Sequence, residues 1–80
     1  MEEAFAQALR SLRLTAQLSQ EELADEAGLH RTYVSQLERG LKSPSLATMV
    51  ALSAALGVAP SALIYSAERL SKSRRSTTHR

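Results

Sequence analysis

The sequence predicts an all-α domain built from five helices. Apolar residues recur at helical spacing, and no segment shows the alternation of apolar and polar residues that is typical of a strand. Glycines and prolines separate the predicted helices, at Gly28, Gly40, Pro44, Gly57 and Pro60. Because the chain has 80 residues, with a single Phe and no Trp, it should form one domain around an aliphatic core.

The first helix is predicted over about Glu2 to Leu14. Its first turn contains Glu2 and Glu3, where the helix dipole favours negative charge. One face carries apolar residues at helical spacing, namely Ala4, Phe5, Ala8, Leu9 and Leu12. We expect this face to pack against the core.

Two short helices joined by a tight turn are predicted by the segment SQEELADEAGLHRTYVSQLERG, which begins at Ser19. Ser19 can cap the first of these helices, and Glu22 can reach back to the Ser19 N–H, which completes a capping box. Leu18 and Leu23 stand at the spacing of a hydrophobic staple. Gly28 follows the helix, at the position where a left-handed residue is required.

The second helix of this pair is predicted from Arg31 to Glu38. His30 occupies its N-cap position, and Gly40 ends it. Ala24 in the preceding helix is small where the two helices should cross, so that their backbones can approach closely. The pair therefore predicts a helix-turn-helix, a motif whose second helix enters the major groove of DNA.

Two further helices are predicted after the pair. Ser45 follows Pro44 and caps a fourth helix over about Leu46–Leu56. Its inward-facing residues are predicted to be Leu46, Met49, Val50, Ser53 and Leu56. Pro60 is suited to the first position of a fifth helix over about 60–70. Beyond it, residues 71–80 are polar and have no apolar face, so we expect a disordered basic tail.

The net charge of +2 conceals an uneven distribution. Residues 1–68 carry five basic and eight acidic side chains, whereas residues 69–80 carry five basic ones and no acidic one. Total charge is therefore a poor argument for DNA binding by the folded part, and the positions of the basic side chains decide the question.

Composition also limits the classes of protein that fit. The sequence lacks cysteine, which excludes disulfides and thiolate metal sites and fits a reducing cytoplasm. Neither an apolar run near 18 residues nor a basic-then-apolar leader is present, so we expect no membrane span and no secretory signal.

The helix-turn-helix segment closely resembles the lambda-repressor-like (Cro/repressor, Xre-type) family of DNA-binding domains. The resemblance rests on LSQEELA from Leu18, on Gly28, on the apolar Val34 and on LERG at the end of the second helix. It covers roughly Phe5 to Tyr65. Within the family, LHRTYVSQLERG is most similar to the controller proteins of restriction–modification operons. The resemblance implies a five-helix fold and double-stranded DNA as the partner.

Arg31 is the first candidate for reading a base. It lies at the N-terminal end of the second helix of the pair, the end that points into the major groove in this fold. A guanidinium there can bind guanine O6 and N7 together. Thr32 and Gln36 share this face and can contact bases or phosphates. The alternative for Arg31 is an ordinary exposed arginine.

Other side chains are candidates for contacts near the groove. Tyr33 either reaches a phosphate with its hydroxyl or packs half-buried against the preceding helix. The resemblance implies that Gln20 contacts a phosphate, and the alternative is a solvated first residue of its helix. The remaining candidates are Ser35 in the same helix, and Arg39, Lys42 and Ser43, which should meet the DNA backbone.

Three further residues have expected roles of a different kind. The resemblance implies that Arg13 pairs with Glu38, and we interpret this pair as mainly structural. His30 can accept a bond from its own helix or contact DNA, and a lone histidine is not a metal site. The acidic run of the first helix of the pair is a solvated face. We therefore expect no catalytic site, metal or cofactor.

The leading hypothesis is a sequence-specific transcriptional regulator that acts as a homodimer on a palindromic operator, because a single small domain contacts few base pairs. Residues 1–70 would form the DNA-binding and dimerisation domain. Dimer contacts are predicted at Val58, Leu63, Ile64 and Leu70, which are more apolar residues than a short terminal helix needs. The alternative is that all four fill the monomer core.

Two rival functions stay open. An antitoxin or a phage-type repressor could carry the same domain in a different operon. A protein-interaction adaptor could use the fold without reading DNA, although Arg31, Thr32 and Gln36 together argue against it. A regulator that activates transcription would also meet RNA polymerase.

Overall fold

A computed structural model describes residues 2–78, with side chains described as far as Ser71. Five helices make up this part of the chain: α1 (Glu2–Thr15), α2 (Gln20–Ala27), α3 (Arg31–Glu38), α4 (Leu46–Leu56) and α5 (Pro60–Thr78). The described residues contain no strand. The prediction of an all-α fold with a helix pair at its second and third elements is confirmed.

The predicted end of the fifth helix at Leu70 is wrong, because α5 continues to Thr78. Residues 71–78 contain neither glycine nor proline, so nothing in them stops a helix that has already begun. The disordered basic tail over 71–80 stays a prediction, and the last two residues lie outside the described part. The assignment of residues 1–70 as the DNA-binding and dimerisation unit stays a prediction.

The first four helices end in the same way. After each helix one residue adopts a positive φ, and these residues are Gln17, Gly28, Gly40 and Gly57. The amide of the next residue then donates to a carbonyl five residues back, as from Leu18 to Arg13 at 3.1 Å and from Leu29 to Ala24 at 2.8 Å. This arrangement satisfies carbonyl groups that a helix end leaves without partners.

The core is aliphatic, as predicted. α1 packs against α3 and α5, α2 packs against α3 and α4, and α4 packs against α5. The buried cluster at their centre consists of Phe5, Ala8, Leu9, Leu23, Ala24, Val34, Leu37, Leu52, Leu56, Leu63 and Ala67. Ala24 is buried in this cluster, which agrees with its predicted place between two closely packed helices.

The predicted inward face of α4 is wrong at two positions. Leu46 is 68% exposed and Val50 is 48% exposed, whereas the fully buried Leu52 was not predicted. Because α4 is apolar on nearly every side, its sequence does not determine which side faces the core. The buried residues of α4 are Leu52 and the correctly predicted Ser53 and Leu56. The Ser53 hydroxyl donates to the Val50 carbonyl at 2.9 Å.

No single helix in the described part of the chain is both long enough and apolar enough to cross a membrane. Residues Leu46–Leu56 and Pro60–Ser71 together reach the required length and hydropathy, but they are bent by 103° at the break between them.

Candidate DNA-binding surface

The first turn of α2 is fixed by the predicted capping box. The Ser19 hydroxyl accepts from the Glu22 amide at 3.0 Å, and the Glu22 carboxylate accepts from the Ser19 amide at 2.8 Å. At the other end of α2, Gly28 has φ 71° and ψ 32° and lies in the left-handed region. Together these features set the angle at which α3 follows α2, and so they determine which side of α3 faces away from the core.

Three predicted base-reading side chains lie on the surface of α3. Arg31 and Thr32 in its first turn are exposed, and Gln36 one turn further is half-buried. Ser35 is half-buried as well. No hydrogen bond within the described part of the chain engages the side chains of Arg31, Thr32 or Gln36, so their polar groups are available to a ligand.

Tyr33 is half-buried and packs against the core cluster. This contact agrees with the packing role considered for it from the sequence. A contact between its hydroxyl and a phosphate stays a prediction.

The exposed charged side chains of α3 and of the loop after it are all basic. Between Gly28 and Ser45 the basic side chains are Arg31, Arg39 and Lys42, all of them exposed, and Glu38 is the only acidic one. The Glu38 side chain is only 3% exposed and is paired with Arg13. The solvent-facing part of α3 and of the loop after it is therefore basic, even though residues 1–68 as a whole are acidic.

The loop after α3 is held by the start of α1. The Ser43 hydroxyl donates to Glu2 Oε2 at 2.6 Å, and this hydrogen bond is the main reason that the pKa of Glu2 is lowered. The Gly40 backbone lies against the first turn of α1. The Ser43 hydroxyl, which we expected to meet a phosphate, is thus already engaged within the protein, and this partner could not be predicted from the sequence.

Arg13 and Glu38 form the predicted ion pair. Arg13 Nε donates to Glu38 Oε2 at 2.6 Å, and Arg13 Nη2 donates to Glu38 Oε1 at 3.0 Å. Arg13 Nη1 donates to the Leu18 carbonyl at 2.9 Å. The hydrogen bond to Glu38 raises the pKa of the Arg13 guanidinium, against the opposing effect of burial. This pair joins α1, the turn before α2, and α3.

Gln20 contributes a contact that the sequence did not reveal. Its Nε2 donates to Glu38 Oε1 at 3.1 Å, so Gln20 is not merely the solvated first residue of α2. The two residues are 18 positions apart, and no periodicity connects them. Only the crossing of α2 and α3 brings them together.

His30 is exposed at the N-cap of α3, and its side chain makes no capping hydrogen bond. Of the two roles considered for it, capping is therefore wrong, and a contact with DNA stays a prediction. No group of three or more His, Cys, Asp or Glu residues in the described part of the chain could hold a metal ion.

The four predicted dimer residues differ in their exposure to solvent. Leu63 is fully buried within the chain itself, and Val58 and Leu70 are half-buried against the core, so the expectation that Leu63 contacts a partner is wrong. Ile64 alone among the four is exposed. The helical phase of α5 explains the difference, because neighbouring residues in a helix point about 100° apart and only one of the two can face inward.

Ile64 lines an apolar groove on the surface of the molecule. The groove has a volume of about 280 Å³ and is lined by Glu2, Phe5, Ser43, Pro44, Met49, Ile64 and Ala67. The exposed Leu46 and Val50 lie on α4 within one turn of Met49. Exposed apolar side chains thus lie on both helices, and the three residues Leu46, Val50 and Ile64 are called here the apolar surface of α4 and α5.

The geometry of the capped helix pair, with an exposed basic helix after a left-handed glycine, matches a known family. The sequence model of the helix-turn-helix (HTH_3) family matches residues 9–63 of this chain. The chain belongs to this helix-turn-helix family. The resemblance to lambda-repressor-like, Xre-type regulators that was predicted from the sequence is therefore confirmed.

Within the helix-turn-helix family, the chain is similar to several control proteins. It is 48% identical over 61 residues to the control protein C.BamHI of Bacillus amyloliquefaciens, and the match covers 75% of each chain. Its fold is similar to the crystal structure of the restriction–modification controller protein C.AhdI from Aeromonas hydrophila, with a TM-score of 0.76 and 44% identity over 78% of this chain and 94% of that one. The structure of C.Esp1396I, a tetramer on its natural 35-base-pair operator, shares the fold with a TM-score of 0.79 at 22% identity, covering 86% of this chain and 91% of that one.

Proposed function

We propose that this helix-turn-helix protein is a sequence-specific transcriptional regulator that binds double-stranded DNA through α3 and acts as a homodimer on a palindromic operator. The observation that carries the proposal is the charge of the α3 surface. Every basic side chain between Gly28 and Ser45 is exposed, and the only acidic one is buried and neutralised by Arg13. DNA phosphates attract such a surface, and base edges in the major groove bind Arg and Gln side chains.

In this proposal Arg31, Thr32 and Gln36 face the base edges. Gln20 on α2, Tyr33 and Ser35 on α3, and Arg39 and Lys42 beyond it contact the phosphate backbone. Ser43 would have to give up its hydrogen bond to Glu2 in order to join them. Contacts of this second kind position the protein without carrying sequence information. The acidic side chains of α2 lie outside the basic surface and disfavour docking on DNA by that face.

The homodimer is proposed to form through the apolar surface of α4 and α5. Leu46, Val50 and Ile64 are large apolar residues that the monomer leaves exposed. Contiguous exposed apolar surface on a small protein marks an interaction site, and a second copy of the chain is the partner that a palindromic operator requires. Ile64 is retained from the residues predicted from the sequence, and Leu46 and Val50 replace Leu63.

The similarity to C.BamHI and C.AhdI supports a controller of a restriction–modification operon in particular. Such a regulator would act in the cytoplasm on the chromosome, and a contact with RNA polymerase would accompany any activation of transcription. An antitoxin or a phage-type repressor would use the same surface, so only the neighbouring genes in the operon can distinguish these functions. A protein-interaction adaptor would not need the exposed Arg31, Thr32 and Gln36.

A gel shift and a footprint on the DNA immediately upstream of the coding sequence test this proposal. We expect a protected inverted repeat whose half-site centres lie about 34 Å apart, or one helical turn. If the protein binds this DNA no more tightly than a random duplex of equal length at physiological salt, sequence-specific binding is contradicted. A reporter fused to the neighbouring gene then shows whether the protein regulates that gene. The sequence of the gene shows whether its product is a restriction enzyme, a toxin or a phage protein.

A further inference from the structure

One carboxylate links the core of the molecule to the start of α2. Glu38 accepts three hydrogen bonds from two side chains: two from Arg13, at 2.6 Å and 3.0 Å, and one from Gln20 Nε2 at 3.1 Å. The Glu38 side chain is 3% exposed, and that of Arg13 is 11% exposed. Gln20 is half-buried and is the first residue of α2. Glu38 is thus held from the inside by Arg13 and presents its remaining acceptor capacity to Gln20.

The chemistry of Glu38 fixes the orientation of the Gln20 amide. An ionised carboxylate accepts hydrogen bonds and donates none, so the amide must turn its nitrogen toward Glu38. An amide nitrogen carries two hydrogens, and the contact with Glu38 uses one of them. A phosphate oxygen is likewise only an acceptor, and therefore it can bind the second hydrogen but not the amide carbonyl.

We infer that Glu38 is a positioning residue for DNA binding, which holds the Gln20 amide with its second Nε2 hydrogen available to a backbone phosphate. This inference rests on the proposed function. Arg13 has a matching role, because its guanidinium neutralises a carboxylate that would otherwise repel the nearby phosphates. The Arg13–Glu38 pair, which we interpreted from the sequence as mainly structural, thereby also serves the contact with DNA.

The expected size of the effect follows from the freedom that Gln20 would otherwise have. Immobilising one flexible side chain on binding costs about 0.5–1.5 kcal/mol, which corresponds to roughly a twofold to tenfold change in affinity. Gln20 is already ordered by Glu38 in the free protein, so that cost is avoided when DNA binds. A variant that releases Gln20 should lose this factor in each subunit.

A double-mutant cycle tests the inference. The variants are Gln20→Met, Glu38→Gln, and the two together. Gln20→Met keeps the length of the side chain but removes its amide. Glu38→Gln introduces an NH2 group that can donate to the Gln20 carbonyl, so that the Gln20 amide is no longer held in one orientation. Affinity is measured for the operator duplex defined by the footprint. Glu68→Gln, at an exposed glutamate on α5, is the matched control for the loss of one negative charge. Thermal unfolding of each variant shows that it is folded at the assay temperature.

We expect Glu38→Gln to weaken operator binding roughly twofold to tenfold per subunit relative to Glu68→Gln, and to add no loss in the Gln20→Met background. A purely structural Glu38 would cost the same factor in both backgrounds, and that result would overturn the inference. Unchanged operator affinity of Gln20→Met would also overturn it, while leaving the proposed function intact. A wild-type protein that gives no footprint on the upstream DNA would instead contradict the proposed function.

A second measurement does not depend on the folding of any variant. The side-chain amide of Gln20 in the free wild-type protein is followed by NMR relaxation, with the exposed Gln7 on α1 as the reference. We expect a clearly higher order parameter for the side-chain amide of Gln20 than for that of Gln7, which should lie below roughly 0.6. Equal mobility of the two amides would show that Glu38 does not position Gln20.

Discussion

At the scale of single residues, the side chains proposed to read a base and to bind a phosphate lie at different places on the basic surface. Arg31 is exposed in the first turn of the helix, and Lys42 is exposed in the loop beyond it. Both are cations, yet a guanidinium can bind guanine through a fork of two hydrogen bonds, whereas an ammonium acts mainly as a point charge. Their replacement by alanine should therefore have different consequences.

Arg31→Ala should reduce binding to the operator much more than binding to random DNA. Loss of a bidentate contact with guanine removes about 1–3 kcal/mol per half-site, so a dimer should lose about two to four kcal/mol or more. Titration of both duplexes by fluorescence anisotropy measures the two affinities. An equal loss on the two duplexes would make Arg31 a phosphate contact, and specificity would then come from Thr32, Gln36 or DNA shape.

Lys42→Ala is the matched control for this experiment. It should weaken binding to every duplex and reduce the dependence of affinity on salt by about one phosphate contact per subunit. Because the basic residues of 71–80 also attract phosphates, the comparison should be repeated in a chain that lacks them.

The candidate site was largely predictable at this scale because local signals set the phase of α3. Ser19, Gly28 and Gly40 define where the helices begin and end, and a helix of known phase has a known outer face. The contacts from Gln20 to Glu38 and from Ser43 to Glu2 were not predictable. They span 18 and 41 residues, and they depend on how the helices cross rather than on any local pattern.

At the scale of helices, the end of α1 differs from the ends of α2, α3 and α4 in the type of residue that adopts the left-handed conformation. Gln17 has φ 62°, whereas the equivalent positions after α2, α3 and α4 are glycines. A left-handed conformation costs an L-residue roughly 1–2 kcal/mol, and glycine avoids this cost. The turn nevertheless forms, with the Leu18 amide bonded to Arg13.

Gln17→Gly should stabilise the protein. Relief of the left-handed conformation is partly offset by the greater freedom of glycine in the unfolded chain, so we expect a gain of about 0.5–1 kcal/mol in the free energy of unfolding. Urea denaturation monitored by circular dichroism measures it. Gln17→Ala serves as the control, since it removes the same side chain but keeps the Cβ, and a gain as large as that of Gln17→Gly would rule out backbone strain as the cause.

The Arg13–Glu38 pair joins α1 to α3, and Arg13 also binds the turn before α2. Glu38→Ala leaves the largely buried Arg13 guanidinium without its counter-charge, and the loss of one partner from a buried pair costs about 3–5 kcal/mol. Denaturant unfolding should therefore show a loss of this size, against under about 1 kcal/mol for the exposed Glu68→Ala. A Glu38→Ala variant as stable as the wild type would mean that the pair acts as a surface contact.

The last two helices show where sequence patterns stop being informative. α4 is apolar almost all round, so helical spacing could not distinguish the buried Leu52 from the exposed Leu46 and Val50. The end of α5 was placed too early because the polarity of residues 71–80 was interpreted as its end, whereas no glycine or proline after Leu70 marks a stop.

At the scale of the whole molecule, the proposed function assigns separate tasks to the basic surface of α3 and the apolar surface of α4 and α5. A homodimer must place its two copies of α3 about 34 Å apart on one side, so that both enter successive major grooves. The apolar surface would set that spacing, because a two-fold interface brings the same patch of each copy together. Dimerisation and operator binding should consequently fail together.

Ile64→Asp provides the decisive variant. Ile64 is exposed in the monomer, so aspartate there should leave the fold intact but place an unpaired charge in the proposed interface. We expect light scattering to show a dimer for the wild type and a monomer for Ile64→Asp at high micromolar concentration, with operator affinity lowered in parallel. Leu14→Asp, which replaces an exposed leucine of α1 outside the groove, should leave both properties unchanged. Leu63→Asp, in contrast, should unfold the chain, because Leu63 is fully buried in the core. A wild-type protein that stays monomeric at this concentration without DNA would show that the apolar surface does not form the dimer.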